Sequence, residues 1–379
     1  MKGYTKKIFL SALLLFITFS FSGCLGIGTS NQAGNSAERS DSYGVFKTVD
    51  GGKTWERKVT IDGGTTDLSQ IMITSMAIDP MSTNVLYLGT AGDGMYKSEN
   101  SGDSWYKISD ANNKMRSTAS IYDIAIENGN SNIIYAASLN DNRGVLLKSE
   151  DAGKNWTESY ITTQQAKQVN RVQIDPIRKN VVYIGTQQGG LIKSSNRGID
   201  WEPIRWFSKA VKDFVIDHQN TKGIIVLTAE GIFKAVDGGS MDENNWKDLT
   251  KALVKTGKIS TNNIGLISSV TIDSQNPLIV YLTYKNLIFV THDGGNTWKI
   301  VETITPALKS STKAPGILKV GSMDGIIYYG SGNAIYKSNN RGETWSSFDI
   351  PVLGNVKYTV SDPKDHNIIY VGSVPDVEE

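Results

Sequence analysis

The stretch Thr291-His292-Asp293-Gly294-Gly295-Asn296-Thr297-Trp298 decides the fold, because six near-copies of it occur elsewhere in the 379 residues. Five are Thr48–Trp55 (TVDGGKTW), Ser98–Trp105 (SENSGDSW), Ser149–Trp156 (SEDAGKNW), Ser194–Trp201 (SSNRGIDW) and Ser338–Trp345 (SNNRGETW). The sixth begins at Ala235-Val236-Asp237-Gly238-Gly239 and carries a four-residue insertion before Trp246. Successive tryptophans are 50, 51, 45, 45, 52 and 47 residues apart, and seven of the eight tryptophans in the chain belong to the phrase. A period of this length signals a repeat architecture.

Working outward, each phrase follows a short alternating run such as Gly94-Met95-Tyr96-Lys97. Ahead of that comes a second run, as in Asn84-Val85-Leu86-Tyr87-Leu88-Gly89-Thr90, and before it a third, as in Ser75-Met76-Ala77-Ile78-Asp79-Pro80. With a short strand starting near the tryptophan, the repeat holds four strands, the content of one propeller blade. The chain ends are complementary. No Tyr-x-Gly-Thr run precedes the first phrase, whereas Asn367–Ser373 (NIIYVGS) supplies that run with no phrase after it. Joining the two halves completes a seventh blade, which predicts an all-β, single seven-bladed β-propeller over 44–379, its ring closed by N- and C-terminal strands in one sheet.

The phrase resembles the Asp-box, or BNR repeat, of sialidases, sortilin-type receptors, xyloglucanases and the photosystem II assembly factor. The resemblance runs from about Gly44 to Ser373. Asn replaces Asp at 100, 196 and 340, and Ala235 replaces the leading hydroxyl residue. The Tyr87-Leu88-Gly89-Thr90 form is closer to the sortilin and xyloglucanase type than to the Gly-Trp-x-Val-Gly form of the assembly factor.

The boxes read as structural. An Asp or Asn side chain accepts hydrogen bonds from N–H groups just ahead and closes a turn. A catalytic acid or metal ligand would not tolerate the Asp/Asn exchange seen here. The glycine two places on fits a positive φ. Burying each indole removes about 150–250 Å² from water; at about 25 cal/mol/Å² this contributes on the order of 4–6 kcal/mol before entropy costs. The structural set is therefore Asp50/Trp55, Asn100/Trp105, Asp151/Trp156, Asn196/Trp201, Asp237/Trp246, Asp293/Trp298 and Asn340/Trp345.

Residues 1–23 read as a lipoprotein signal peptide: Lys2, Lys6 and Lys7 precede the apolar run Ile8–Phe21, too short for a comfortable span. The run ends in Phe21-Ser22-Gly23-Cys24, which resembles a bacterial lipobox with Cys24 as the lipidated residue. An ordinary signal peptide with an incidental thiol is the alternative, although an unpaired cysteine in a secreted chain asks for an explanation. Residues 24–43, rich in Gly, Ser and Asn, form the expected tether. Leu25 follows the cysteine where a retention aspartate would stand, so the resemblance implies the outer membrane in a diderm cell. With 39 basic against 38 acidic residues, no surface for nucleic acid is implied.

Ligands of such propellers usually bind the face opposite the boxes. The stretches 57–72, 158–169, 247–266 and 301–315 are the longest between blades and would shape that face, with the loops Thr90–Gly94, Ser138–Gly144 and Thr283–Asn286. Aligning the innermost strands on their terminal acidic residue places Ser75, Asp123, Arg171, Asp213, Ser269 and Tyr358 four positions earlier, with Lys319 nearby in the sixth blade. Two readings of this polar ring at the channel mouth stand side by side: it solvates a water-filled channel, or Asp123, Arg171, Asp213, Lys319 and Tyr358 contact a ligand, Arg171 engaging a polar or charged group. No cofactor, metal cluster or nucleophile–His–acid set is visible; His218, His292 and His366 fall in turns.

The expected function is a non-catalytic, membrane-anchored scaffold that binds a protein or a cell-envelope glycan. A glycoside hydrolase is the alternative. The sialidase-like Phe/Tyr-Arg-Ile-Pro signature is absent, since Pro176-Ile177-Arg178 and Pro203-Ile204-Arg205 run in the wrong order. Xyloglucanase-like enzymes use two propellers around a cleft.

Overall fold

Why a chain of short alternating runs closes on itself is visible at its ends. In a computed structural model describing residues 43–301 (65 and 236 excepted), 317–320 as backbone, 325–352 and 354–374, seven four-stranded antiparallel sheets form a ring. Residues 1–42, on which the expected signal peptide, Cys24 and all but the last residue of the expected tether fall, lie outside the described residues. The first complete blade is β3 (Ile73–Ile78), β4 (Leu86–Thr90), β5 (Met95–Ser98) and β6 (Tyr106–Lys107), with β3 innermost. The closing blade orders β27 (Asn355–Ser361), β28 (Ile369–Val374), β1 (Gly44–Thr48) and β2 (Glu56–Arg57), two strands from each end. Pairing runs in register from Gly44↔Ser373 to Thr48↔Ile369. The other inner strands are β7 (Ser120–Ile126), β11 (Val169–Ile174), β15 (Val211–Ile216), β19 (Ile267–Ile272) and β23 (Ile317–Val320), and each touches its two neighbours around the axis.

Each box joins the third and fourth strands. In six of seven, the leading hydroxyl accepts the N–H four residues on and the Asp or Asn accepts the N–H four beyond itself. Gly52 N donates to Thr48 Oγ1 at 3.0 Å and Thr54 N to Asp50 Oδ1 at 2.9 Å; Ser98 and Asn100 do the same at 2.8 and 2.9 Å. The equivalent bonds recur at Ser149/Asp151, Ser194/Asn196, Thr291/Asp293 and Ser338/Asn340. The turn holds two successive positive-φ residues, such as Ser101 (62°) and Gly102 (86°). The box at Asp237 departs from this pattern. Ala235 has no hydroxyl and the insertion displaces the loop, so Asp237 is exposed and pairs with Lys222 at 2.8 Å. Asp242 instead accepts the Asn244 N–H and caps a short 3-10 turn at Glu243–Asn245.

The tryptophans do not fill their own blades; they fill the joints between blades. Seven apolar clusters contain one box tryptophan each and combine strands of two consecutive blades. Trp298 packs with Ile225, Leu227 and Leu249 of the preceding blade and with Leu282 and Phe289 of its own. Trp105 and Trp156 are fully buried, while Trp55, Trp201 and Trp345 keep an edge in solvent. The second-strand tyrosine completes the joint. Tyr87, Tyr135 and Tyr281 donate to the carbonyls of Ala152, Arg197 and Arg341 in the next blade's box.

The glycine of Tyr-x-Gly-Thr has a steric reason. A Cβ at Gly185 would lie 2.6 Å from Val211 Cγ1, one at Gly330 2.5 Å from Val356 Cγ1, and one at Gly89 2.7 Å from the Ile121 carbonyl. In each case the inner strand of the next blade is in the way, and at Gly89 Ser75 Oγ of its own inner strand stands nearer still, at 2.2 Å.

Two outcomes follow. Trp298→Ala should cost roughly 3–5 kcal/mol of unfolding free energy, and Trp206→Ala, at the one tryptophan outside the boxes and 44% exposed, less than about 1. Equal denaturation midpoints for the two variants would contradict the joint-filling role. The second outcome concerns acid. Bonds from the Thr54 hydroxyl and N–H and from Thr48 hold the Asp50 carboxyl well below the usual carboxylate range. At Asp293 the Thr297 hydroxyl does so foremost, against burial, aided by the Thr297 N–H. A depressed folded-state pKa gives stability that is complete above the unfolded value near 4 and lost as pH falls through the folded one. Asp50→Asn with Asp293→Asn should therefore keep the fold at neutral pH and flatten the acid limb of melting temperature against pH.

Candidate functional site

The channel mouth is built by a bulge repeated around the ring. In six inner strands the register with the second strand slips by one residue, between Ile73/Ser75, Ile121/Asp123, Val169/Arg171, Val211/Asp213, Ile267/Ser269 and Val356/Tyr358. A bulge puts two residues opposite one. Two consecutive side chains per strand thus escape the alternation: Thr74-Ser75, Tyr122-Asp123, Asn170-Arg171, Lys212-Asp213, Ser268-Ser269 and Lys357-Tyr358. The second of each pair is the residue that the sequence alignment singled out. The first was missed, although a run of polar pairs in otherwise alternating strands was a legible signal.

Lys319 does not belong to this layer. The register of β23 sets Ile317 opposite Gly330 and Lys319 opposite Tyr328. Arg171 faces Gly185 and Gln173 faces Tyr183, so Lys319 is the counterpart of Gln173 and Ile317 that of Arg171. Over the described residues of β23 the pairing runs without a slip, and counting back from an acidic residue does not lead to the position opposite the glycine there.

The ring surrounds a cavity of about 130 Å³ lined by Ser75, Asp123, Arg171, Asp213, Ser269 and Tyr358 together with Tyr122 and Lys212. Arg171 sits between its neighbours' carboxylates: Nε lies 2.8 Å from Asp213 Oδ1 and Nη1 3.2 Å from Asp123 Oδ1. Burial opposes the guanidinium charge, but the two carboxylates outweigh it and hold the arginine above its ordinary pKa. The carboxylates carry a second load. Val172 N donates to Asp123 Oδ2 at 3.0 Å and Val270 N to Asp213 Oδ2 at 3.1 Å, each across a blade boundary. Asn170 Nδ2 donates to the Val211 carbonyl at 2.7 Å, and Lys212 Nζ to the Gly265 and Ile267 carbonyls at 2.6 and 2.5 Å. Inner strands have one edge facing the channel with unpaired backbone groups, and these side chains satisfy part of it by lacing one blade to the next.

Among the described lining residues, the donors open to a ligand include the Nη2 edge of Arg171, the last proton of Lys212 and the hydroxyls of Tyr122, Tyr358 and Thr359. Burial pushes the Lys212 ammonium down, Asp213 opposing and Lys357 adding to it. Burial raises the Tyr358 phenol to about 12, with Arg171 pulling the other way. At neutral pH the mouth therefore offers donors for a polar or anionic group in a small, partly dry space.

Two of the loops expected around this face differ, both in the second blade. Most of 158–169 is strand: β10 (Thr157–Gln165) is the longest outer strand among the described residues. The Ser138–Gly144 loop shrinks to the two-residue turn Asp141-Asn142, both at positive φ. The stretch 247–266 holds a short helix α1 (Thr250–Val254) and a 3-10 segment at Thr261–Leu266. Almost all of 301–315 lies outside the described residues. Among the described residues no group of His, Cys, Asp and Glu is placed to hold a metal ion, and no helix is long and apolar enough to cross a membrane.

The chain is similar to proteins of two kinds. The chain is 24% identical over 278 residues to the xyloglucanase Xgh74A of Acetivibrio thermocellus, covering 67% of this chain and 28% of that enzyme. It thus spans less than a third of the relative's length. Among solved structures, YCF48 bound to a D1 peptide superposes with a TM-score of 0.59 at 11% identity, over 80% of this chain and 94% of that one. The GH74 xyloglucanase from Xanthomonas campestris gives 0.60 at 16% identity, over 84% and 52%. At these identities the likeness shows the fold. Residues 104–373 match the DUF6242 beta propeller domain, and the chain belongs to that family.

Proposed function

We propose that the chain is a non-catalytic binding platform, lipid-anchored through Cys24 outside the cytoplasm, that holds a protein or glycan partner at the channel mouth. The observation that carries this reading is the state of the two carboxylates there. Asp123 and Asp213 are both engaged by Arg171 and by backbone N–H groups of the neighbouring blade. General acid–base work on a glycoside needs one carboxyl free to deliver a proton and another free to attack or activate water. Carboxylates committed to an arginine and to the strand edges serve that chemistry poorly and serve rigid positioning of a guanidinium well. A hydrolase remains the second reading, favoured by the similarity to a xyloglucanase.

The test is a mild crosslink in cells producing the chain, followed by purification with and without Arg171→Gln. A stoichiometric partner captured by the native chain, and reduced at least about tenfold by a variant that still melts cooperatively, supports the platform; a tenfold loss is about 1.4 kcal/mol. Release of reducing sugars from xyloglucan or envelope polysaccharide by the purified protein, abolished by Asp213→Asn, would overturn it in favour of the hydrolase.

A further inference from the structure

Charge and apolar surface coincide in one sector of the face opposite the boxes. Lys209, Lys251, Lys255 and Lys258 are exposed there, and among the described residues none of them is in an ion pair. The segments that carry them are joined. Ser208 N donates to Glu230, Ile232 N to the Thr250 hydroxyl, and Lys212 Nζ to the Gly265 carbonyl. Beside the lysines stand two apolar side chains in water, Trp206 at 44% and Leu266 at 50% exposure. Trp206 is paired with Gly190 at the start of β13 (Gly190–Ser194), which places the indole at this end of the blade. Two acids share the sector and keep their charge, Glu230 accepting from Ser208 and Asp248 accepting the Thr250 N–H at the start of α1, so the four lysines outnumber them.

We infer that this sector docks directly on an anionic phospholipid bilayer. Lysines alone would suit any polyanion, but an exposed tryptophan and leucine among unpaired lysines match the interfacial layer of a membrane, where an amphipathic ring sits at headgroup depth and ammonium groups meet lipid phosphates. A second observation points the same way: β1 begins on this face at Gly44, so the polypeptide enters the ring on the side that carries the lysines. The contact is separate from the channel mouth and independent of any acyl chain.

Every strand of the closed ring lies within Gly44–Val374, and Arg39–Glu379 forms one compact unit, so the test uses residues 39–379, free of the leader and Cys24. This protein is sedimented with phosphatidylcholine vesicles, with and without phosphatidylglycerol, at low and high salt. Binding to the anionic vesicles only, lost at high salt, is expected. Replacing Lys209, Lys251, Lys255 and Lys258 by Gln should weaken partitioning on the order of a hundredfold or more, and Trp206→Ser should weaken it by a smaller factor that salt does not change. Both variants alter exposed positions, and their melting temperatures report that the ring is intact. No binding to anionic vesicles, or binding that the lysine variant retains, overturns the proposal. Binding to soluble dextran sulfate as tight as to vesicles, and insensitive to Trp206→Ser, overturns it in favour of a soluble polyanion.

Discussion

The joint between two blades is the interaction on which the rest of this protein depends. A four-stranded twisted sheet has two apolar faces and cannot bury either alone. The ring solves this by stacking each blade on the next, and the box supplies the piece that makes the stack specific. Its turn is fixed by a hydroxyl and an Asp or Asn, its N–H reaches the carbonyl ahead of the second strand of the same blade, as from Ser101 to Asn84 and from Arg197 to Asn180, and its tryptophan then lies against the preceding blade. The partner blade answers with a tyrosine hydroxyl bound to the box carbonyl. One octapeptide thus sets the local turn and the position of its neighbour, which is why losing the box pattern at Asp237 is tolerated: Gly238 N still reaches the Lys222 carbonyl and Trp246 still enters the joint.

The same logic explains what could be read from the amino acids. Seven boxes with a constant order of polar, glycine and tryptophan residues encode geometry locally, so repeat number, blade content and the shared closing blade were all legible. The polar ring was legible in part, because the acidic residue after each inner strand marks a fixed distance to the channel mouth. That ruler assumed identical strands. It failed in the sixth blade, where the register places Ile317 and not Lys319 opposite the glycine. It also passed over Thr74, Tyr122, Asn170, Lys212, Ser268 and Lys357, since a bulge adds a residue without altering the motif on either side. Nor could spacing reveal that the tryptophans work between blades, because packing across a boundary is a property of the ring and not of any one repeat.

The channel mouth shows how a structural demand shapes what a site can do. Inner strands leave backbone donors and acceptors along an edge with no fifth strand to meet them. Side chains that satisfy this edge are polar, and a ring of polar side chains in a narrow space resembles an active site whatever its purpose. Arg171 shows the distinction. Its two carboxylates are held by N–H groups that would be orphaned without them, so Asp123 and Asp213 could not be altered for catalysis without loosening the blades on either side. Function at such a mouth is confined to donors left over after the lacing is complete.

That restriction bears on how one ring supports different activities in different proteins. The residues that define the boxes are committed to turns and joints, and much of the channel wall is committed to lacing. Freedom to vary resides in the segments that cross the opposite face, such as 207–210 and 249–266, which contribute to the joints through Phe207, Leu249 and Leu253 yet present Lys209, Lys251, Lys255 and Lys258 to solvent. A segment anchored from below by buried apolar residues can exchange its outward side chains without disturbing the ring. Boxes and strands therefore encode the scaffold, while chemistry particular to one protein has most room in the segments that cross the opposite face.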